Sequence, residues 1–129
     1  MTVGFSTAVR NAMLDSLTTQ TGASALLNIY AGTRPSTGGA AGTLLAQLTC
    51  NATFAPSASG GVLTLNSIAS TTASASGTAS WARLTTSGGT FIADMDVGTS
   101  GTEVIIPSIA ISSGATVGAT AATFTAGNA

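Results

Sequence analysis

Histidine and lysine are absent from this 129-residue chain, whose charge is carried by three arginines and four carboxylates for a net charge of -1. Each absence closes off a class of chemistry. Without histidine the chain lacks the side chain that ordinarily titrates near neutral pH, and any serine nucleophile lacks its usual base. Without clustered Lys or Arg there is no phosphate-neutralising face: Arg10, Arg34 and Arg83 lie far apart in sequence, so nucleic acid is not expected as a partner. Charged residues make up 5% of the chain, against about 25% in an average soluble protein, and so little charge gives little colloidal repulsion. Such a surface suits packing against protein neighbours better than solitary diffusion. Cys50 is the single cysteine, which rules out an internal disulfide, and its place in an apolar alternating run reads as a small buried hydrophobe. No run of about 18 apolar residues exists to span a bilayer. The amino terminus has no basic segment leading into an apolar one, so no signal peptide and no membrane partner are expected, and synthesis and use from a cytoplasm are.

What is present is β-patterned. Residues 77–98, GTASWARLTTSGGTFIADMDVG, hold two alternating runs joined by a Gly-containing loop, which is what a hairpin requires. In the second run Phe91, Ala93, Met95 and Val97 are expected to face a core, with Asp94 and Asp96 facing water. Further strands are expected at 26–30, 43–51, 62–68, 103–111 and 115–125. Pro107 makes the fourth of these an edge, a bulge or a broken strand, because proline cannot donate to a ladder. Residues 69–76 read as a loop or a weak edge, and 126–129 as a frayed end. The turn-rich loop 32–42 carries Arg34, as a solvated charge or as an anchor to a partner carboxylate. The pattern sums to an all-β chain: an antiparallel β-sandwich or jelly roll of about seven to eight strands with one N-terminal α-helix. A single domain covers 1–129, with 1–21 a helix or arm and 25–125 the β-sandwich.

The helix is expected over residues 6–19, where Phe5, Val9, Met13 and Leu17 recur every fourth position with Ala12 beside them. Ser6 or Thr7 can cap its start and Gly22 its end. The apolar stripe must bury against the sandwich or against a neighbouring subunit.

Little in the chain points to reactive chemistry. Asp94, Asp96 and Glu103 can converge, and three readings follow: a solvated strand face, a calcium site, or a glycosidase pair about 5 to 10 Å apart. The solvated face is favoured. No GxxxxGK[ST], GxGxxG or GxSxG spacing occurs, so no cofactor, no metal and no enzymatic activity are expected. Trp81 and Tyr30 read as core or interface anchors before they read as a sugar-stacking platform.

The amphipathic amino-terminal helix, the strand-turn LLNIYAGTRPST and the hairpin arm GTASWARLTTSGG, in that order with Ala/Gly/Ser/Thr-rich filling, resemble small virion proteins of tailed bacteriophages. The likeness runs over most of the chain. It implies a capsid decoration, or cement, protein: a β-sandwich or jelly roll without catalytic residues, bound as a homodimer or homotrimer to the outside of the major capsid protein lattice. It also implies assembly in the host cytoplasm and residence on the virion. The contact residues expected on that reading are Val9, Met13, Tyr30, Arg34 and Trp81. A tail or fibre module binding a host glycan or protein is the alternative.

Overall fold

The computed structural model describes residues 3–126. Helix α1 (Thr7–Thr21) leads into β1 (Leu26–Ala31), β2 (Leu44–Thr49), β3 (Val62–Thr64), β4 (Thr71–Thr72) and β5 (Gly77–Thr85). These are followed by β6 (Phe91–Gly98), β7 (Val104–Ile105), β8 (Ala110–Ile111), β9 (Thr116–Val117) and β10 (Ala121–Thr125). The fold is mostly β with one helix. Eight strands form a mixed sheet running β2-β1-β5-β6-β7-β10-β3, with β8 attached to β5, while β4 and β9 pair separately.

Local chemistry sets the helix ends where the sequence puts them. The Ser6 hydroxyl accepts a hydrogen bond from the Val9 N–H, and Gly22 takes a positive φ while its N–H donates to the Thr18 carbonyl. Both meet donors or acceptors that a helix terminus otherwise leaves unpaired.

The centre of the sheet is the antiparallel ladder β2-β1-β5-β6. Leu27 lies opposite Leu48 on one side and Leu84 on the other, Ile29 opposite Ala46 and Ala82, and Ala82 opposite Met95. Because paired residues point to one face, these side chains form an apolar layer, contiguous with Leu63, Val104, Ile106, Ile111 and Leu14 of α1. The hairpin between β5 and β6 is present, with Thr86 and Thr90 closing its loop by an N–H to carbonyl bond of 2.9 Å.

Several expectations are corrected. The sheet is not purely antiparallel, because β6 and β7 run parallel through Val97–Val104 and Gly98–Ile105. A parallel connection usually needs about a dozen residues; residues 99–103 fall short of that, and the pairing ends after two residue pairs. Strands are shorter and more numerous than expected: 115–125 divides into β9 and β10, and of the three forms expected for 103–111 the structure has the break around Pro107, into β7 and β8. Residues 69–76 contribute β4. Phe91 does not face the core: the register shifts between Leu84 and Thr85, which turns it to the outer face, where it is 39% exposed. The expected frayed end lies, beyond Ala126, outside the described residues.

Candidate functional site

The outer face of the central ladder carries a polar row across four strands: Gln47, Asn28, Arg83 and Asp94. Gln47 Nε2 donates to Asn28 Oδ1 at 2.7 Å, and Asn28 Nδ2 donates to the Arg83 carbonyl at 3.3 Å. Arg83 donates from Nε to Asp94 Oδ1 at 2.7 Å and from Nη2 to Asp94 Oδ2 at 3.1 Å. This two-pronged pair is the geometry in which arginine binds a carboxylate best. The neighbouring row is Tyr30, Trp81 and Asp96. The rings of Tyr30 and Trp81 stack with centroids 4.5 Å apart and planes 18° apart. The guanidinium carbon of Arg83 sits 5.3 Å from the Trp81 ring and 5.2 Å from the Phe91 ring, within cation–π range of both.

Residues 32–42 are tied down over these two rows. The Ser80 hydroxyl donates to the Gly32 carbonyl, Arg34 pairs with Asp96 at 3.3 Å, the Gly38 N–H donates to Asp94 Oδ2 at 3.0 Å, and Arg83 Nη2 donates to the Gly39 carbonyl at 2.6 Å. Gly38 needs its positive φ of 76° to aim that N–H, and a Cβ there would meet the Phe91 ring. The Asp94 side chain is 3% exposed and that of Arg83 14%. Burial by itself would raise the Asp94 pKa, but the hydrogen bonds from Arg83 and Gly38, with the charges of Arg83 and Arg34, hold the carboxyl below its ordinary value. The Arg83 pKa is raised, foremost by its hydrogen bond to Asp94.

This pairing changes the reading of the acidic residues. Asp94 does not face water, and Asp94 and Asp96 each meet an arginine. Glu103 Oε1 accepts the backbone N–H of Asp96 at 3.1 Å. Among the described residues no group of three carboxylate or thiol side chains is placed to hold a metal ion. What the arrangement does is hold a loop.

The second candidate surface is α1, whose upper apolar stripe does not bury against its own sandwich. Two of its polar side chains point inward: Asn11 Oδ1 accepts from the Gly61 N–H at 2.8 Å and Asp15 Oδ1 from the Ala58 N–H at 2.8 Å. A Cβ on Gly61 would displace the Arg10 guanidinium, and the positive φ of Gly61 favours glycine there. Leu14 and Thr21 are buried and Leu17 packs on the core, while Val9 and Met13 stand 45% and 50% exposed. The stripe therefore parts at Leu17. Its lower half is core, and its upper half faces outward beside Ala8, Ala12 and Ser16, which are also exposed. No charged residue lies on this outward side, since Arg10 and Asp15 are the helix's only charges and both turn in.

No family model matches the chain, and no curated protein or solved structure matches it.

The five expected contact residues thus fall on two surfaces. Val9 and Met13 share the outward face of α1. Tyr30, Arg34 and Trp81 are brought together beneath and within the 32–42 loop, where Arg34 pairs with Asp96 of its own chain. Trp81, expected as a contact if exposed, is 1% exposed and does not reach the surface; Tyr30 is half-buried. Sequence reasoning missed Asn11, Asp15, Asn28, Gln47 and Phe91. It also missed the role of Asp94, because the register that sets Arg83 across from it depends on the hairpin loop and an irregularity between Leu84 and Thr85.

Proposed function

We propose that this chain is a non-enzymatic structural protein of a tailed-phage virion, a capsid decoration protein that binds the outside of the major capsid protein lattice through the outward face of α1. The observation that supports this reading is the outward upper stripe of the helix. A helix held to its own domain by Asn11, Asp15 and Leu14 leaves Val9 and Met13 about half exposed, and covering the remainder of each in a partner groove is worth about 1 kcal/mol. A rigidly seated helix also loses little conformational freedom on docking. One such contact is weak. Repetition over a lattice, or within a homodimer or homotrimer of this chain, multiplies weak contacts into firm retention.

The absence of charge on that face favours an apolar protein groove over a nucleic acid or a charged lipid surface. We read the fold as a sandwich: the central ladder supplies one layer and β7, β10 and β3 the other, and Leu27, Ile29, Leu63 and Val104 join one core between them. A jelly roll is the finer form of that reading.

The test is rebinding. Purified protein is mixed with heads stripped of it, and bound protein is measured by co-sedimentation together with resistance of the heads to heat. Retention that raises heat resistance and is lost in Val9→Asp and Met13→Asp is the expected result. Binding only to tails or to bacterial cells, or retention indifferent to both substitutions, overturns the reading.

A further inference from the structure

We propose that residues 32–42 form a strap that lifts from the outer face of the sheet while sheet and core stay folded, uncovering Trp81, with the Asp94 carboxylate as its latch. Four features carry this. First, the strap begins and ends at one place, because the Ala31 N–H donates to the Thr43 carbonyl at 3.2 Å. It is thus a closed loop of the kind that moves as a unit. Second, no residue from 32 to 42 is buried, and none belongs to the contiguous core, so lifting it costs no core packing. Third, its attachments are few and polar. Asp94 and its partner Arg83 supply two of them, the Gly38 N–H and Gly39 carbonyl contacts; the more exposed Arg34–Asp96 pair supplies a weaker third, and the Ser80 hydroxyl holds the Gly32 carbonyl at the strap's first residue, where it hinges.

The fourth feature is the row the strap is tied across, where Trp81 stacks on Tyr30 and lies under Arg83, the residue that also holds the strap's Gly39 carbonyl. Trp81 is 1% exposed yet stands outside the contiguous core, and its indole N–H is buried with no hydrogen-bond partner. A buried donor without an acceptor favours the open state, in which water supplies one. Closed and open forms are therefore separated by a small set of opposing terms: the Asp94 and Arg83 bonds hold the strap down, and the unpaired indole pushes it up. Gly32 and Gly38, both at positive φ, give the loop its bends.

Trp81 is the chain's one tryptophan and Cys50 its one cysteine, so each reports a different event. Acrylamide quenching of the Trp81 emission reads strap opening, and thiol labelling of Cys50, which is buried in the core, reads loss of the core. In Asp94→Asn the quenching constant is expected to rise severalfold while Cys50, although labelled faster than in the parent because the chain is less stable, stays far less reactive than in the chain unfolded in urea. In a second variant, with 32–42 replaced by a two-residue Asn-Gly turn across the Ala31–Thr43 bond, Trp81 is expected to be at least as quenchable as in Asp94→Asn, with Tyr30 still stacked on its ring, and Cys50 still protected. Trp81 equally shielded in a folded Asp94→Asn chain overturns the latch. If Asp94→Asn does not fold, the shortened chain decides: a protected Cys50 supports the strap, and a labelled Cys50 shows that these residues belong to the core fold and overturns it.

Discussion

Arg83 and Asp94 show how one pair of side chains can count for more than its number of bonds suggests. Both are largely withdrawn from water, so removing one leaves the other buried and unpaired, a change that typically costs about 3–5 kcal/mol. The Arg34–Asp96 pair has side chains 43% and 55% exposed, and exposed pairs are worth about 0–1 kcal/mol. Arg83→Ala is therefore expected to lower unfolding free energy several-fold more than Arg34→Ala, as measured by urea denaturation with unchanged m. The pH dependence follows from the sign of the shift. The Asp94 pKa is lowered in the folded chain, so its contribution is fully present above the unfolded value of about 3.9 and is lost as pH falls through the folded one. The groups around it are Arg83 on β5, Arg34 on the strap, Tyr30 on β1, and Asp96, whose charge Arg34 meets. An acid limb in a plot of stability against pH that flattens in Asp94→Asn checks this, and an unchanged limb contradicts it. At this scale the alternation of the hairpin put Asp94 and Asp96 on the face away from the core, but the register that sets Asp94 opposite Arg83 passes through an irregularity between Leu84 and Thr85 that alternation does not encode. Nor could it supply the loop across both, because that contact joins residues 38 and 94 and no local pattern encodes it.

At the level of the element, α1 separates what a short window of sequence contains from what it does not. Its caps were legible because Ser6 and Gly22 act on backbone groups within one turn. Its inward face was not. Periodicity marks the stripe of Val9, Met13 and Leu17 as the side to bury, but the surface that receives the helix offers the backbone N–H groups of Ala58 and Gly61. Leaving those buried donors unpaired costs about 1–3 kcal/mol each, so carboxylate and amide acceptors face inward and the stripe turns out until Leu17. The two faces make opposite predictions. Asn11→Ala is expected to destabilise the isolated chain by about 1–3 kcal/mol, and Val9→Ser to stay within about 0.5 kcal/mol, as surface substitutions do. Thermal unfolding of both variants beside the parent distinguishes them. Equal losses would mean that Val9 packs on the domain after all. Deleting residues 1–21 cannot separate packing from docking, because it removes Leu14 from the core together with the outward face.

Across the whole molecule the β character, the single helix and the break at Pro107 were readable, because each depends on period-two alternation or on a residue that cannot donate. The strand order was not. The parallel contact of β6 with β7 and the placing of β10 between β7 and β3 depend on β3, β7 and β10, strands of two to five residues, too short to carry a register of their own. Cys50 tests how firmly these short strands are joined into one cooperative unit. Burial pushes its thiol up to about 11, so at pH 8 only about one thiol in a thousand is ionised in the folded chain. Labelling must then proceed through opening of the core. If the strands form one unit, the labelling rate in urea will rise with the same slope as global unfolding. The same shift sets an alkaline limit. The folded thiol resists ionisation while the unfolded one, near 8.5, does not, so stability held below that pH is lost as pH climbs toward the folded value. Cys50→Ala, which cannot ionise, should remove that decline, and a decline of the same size in both chains would assign it to another group.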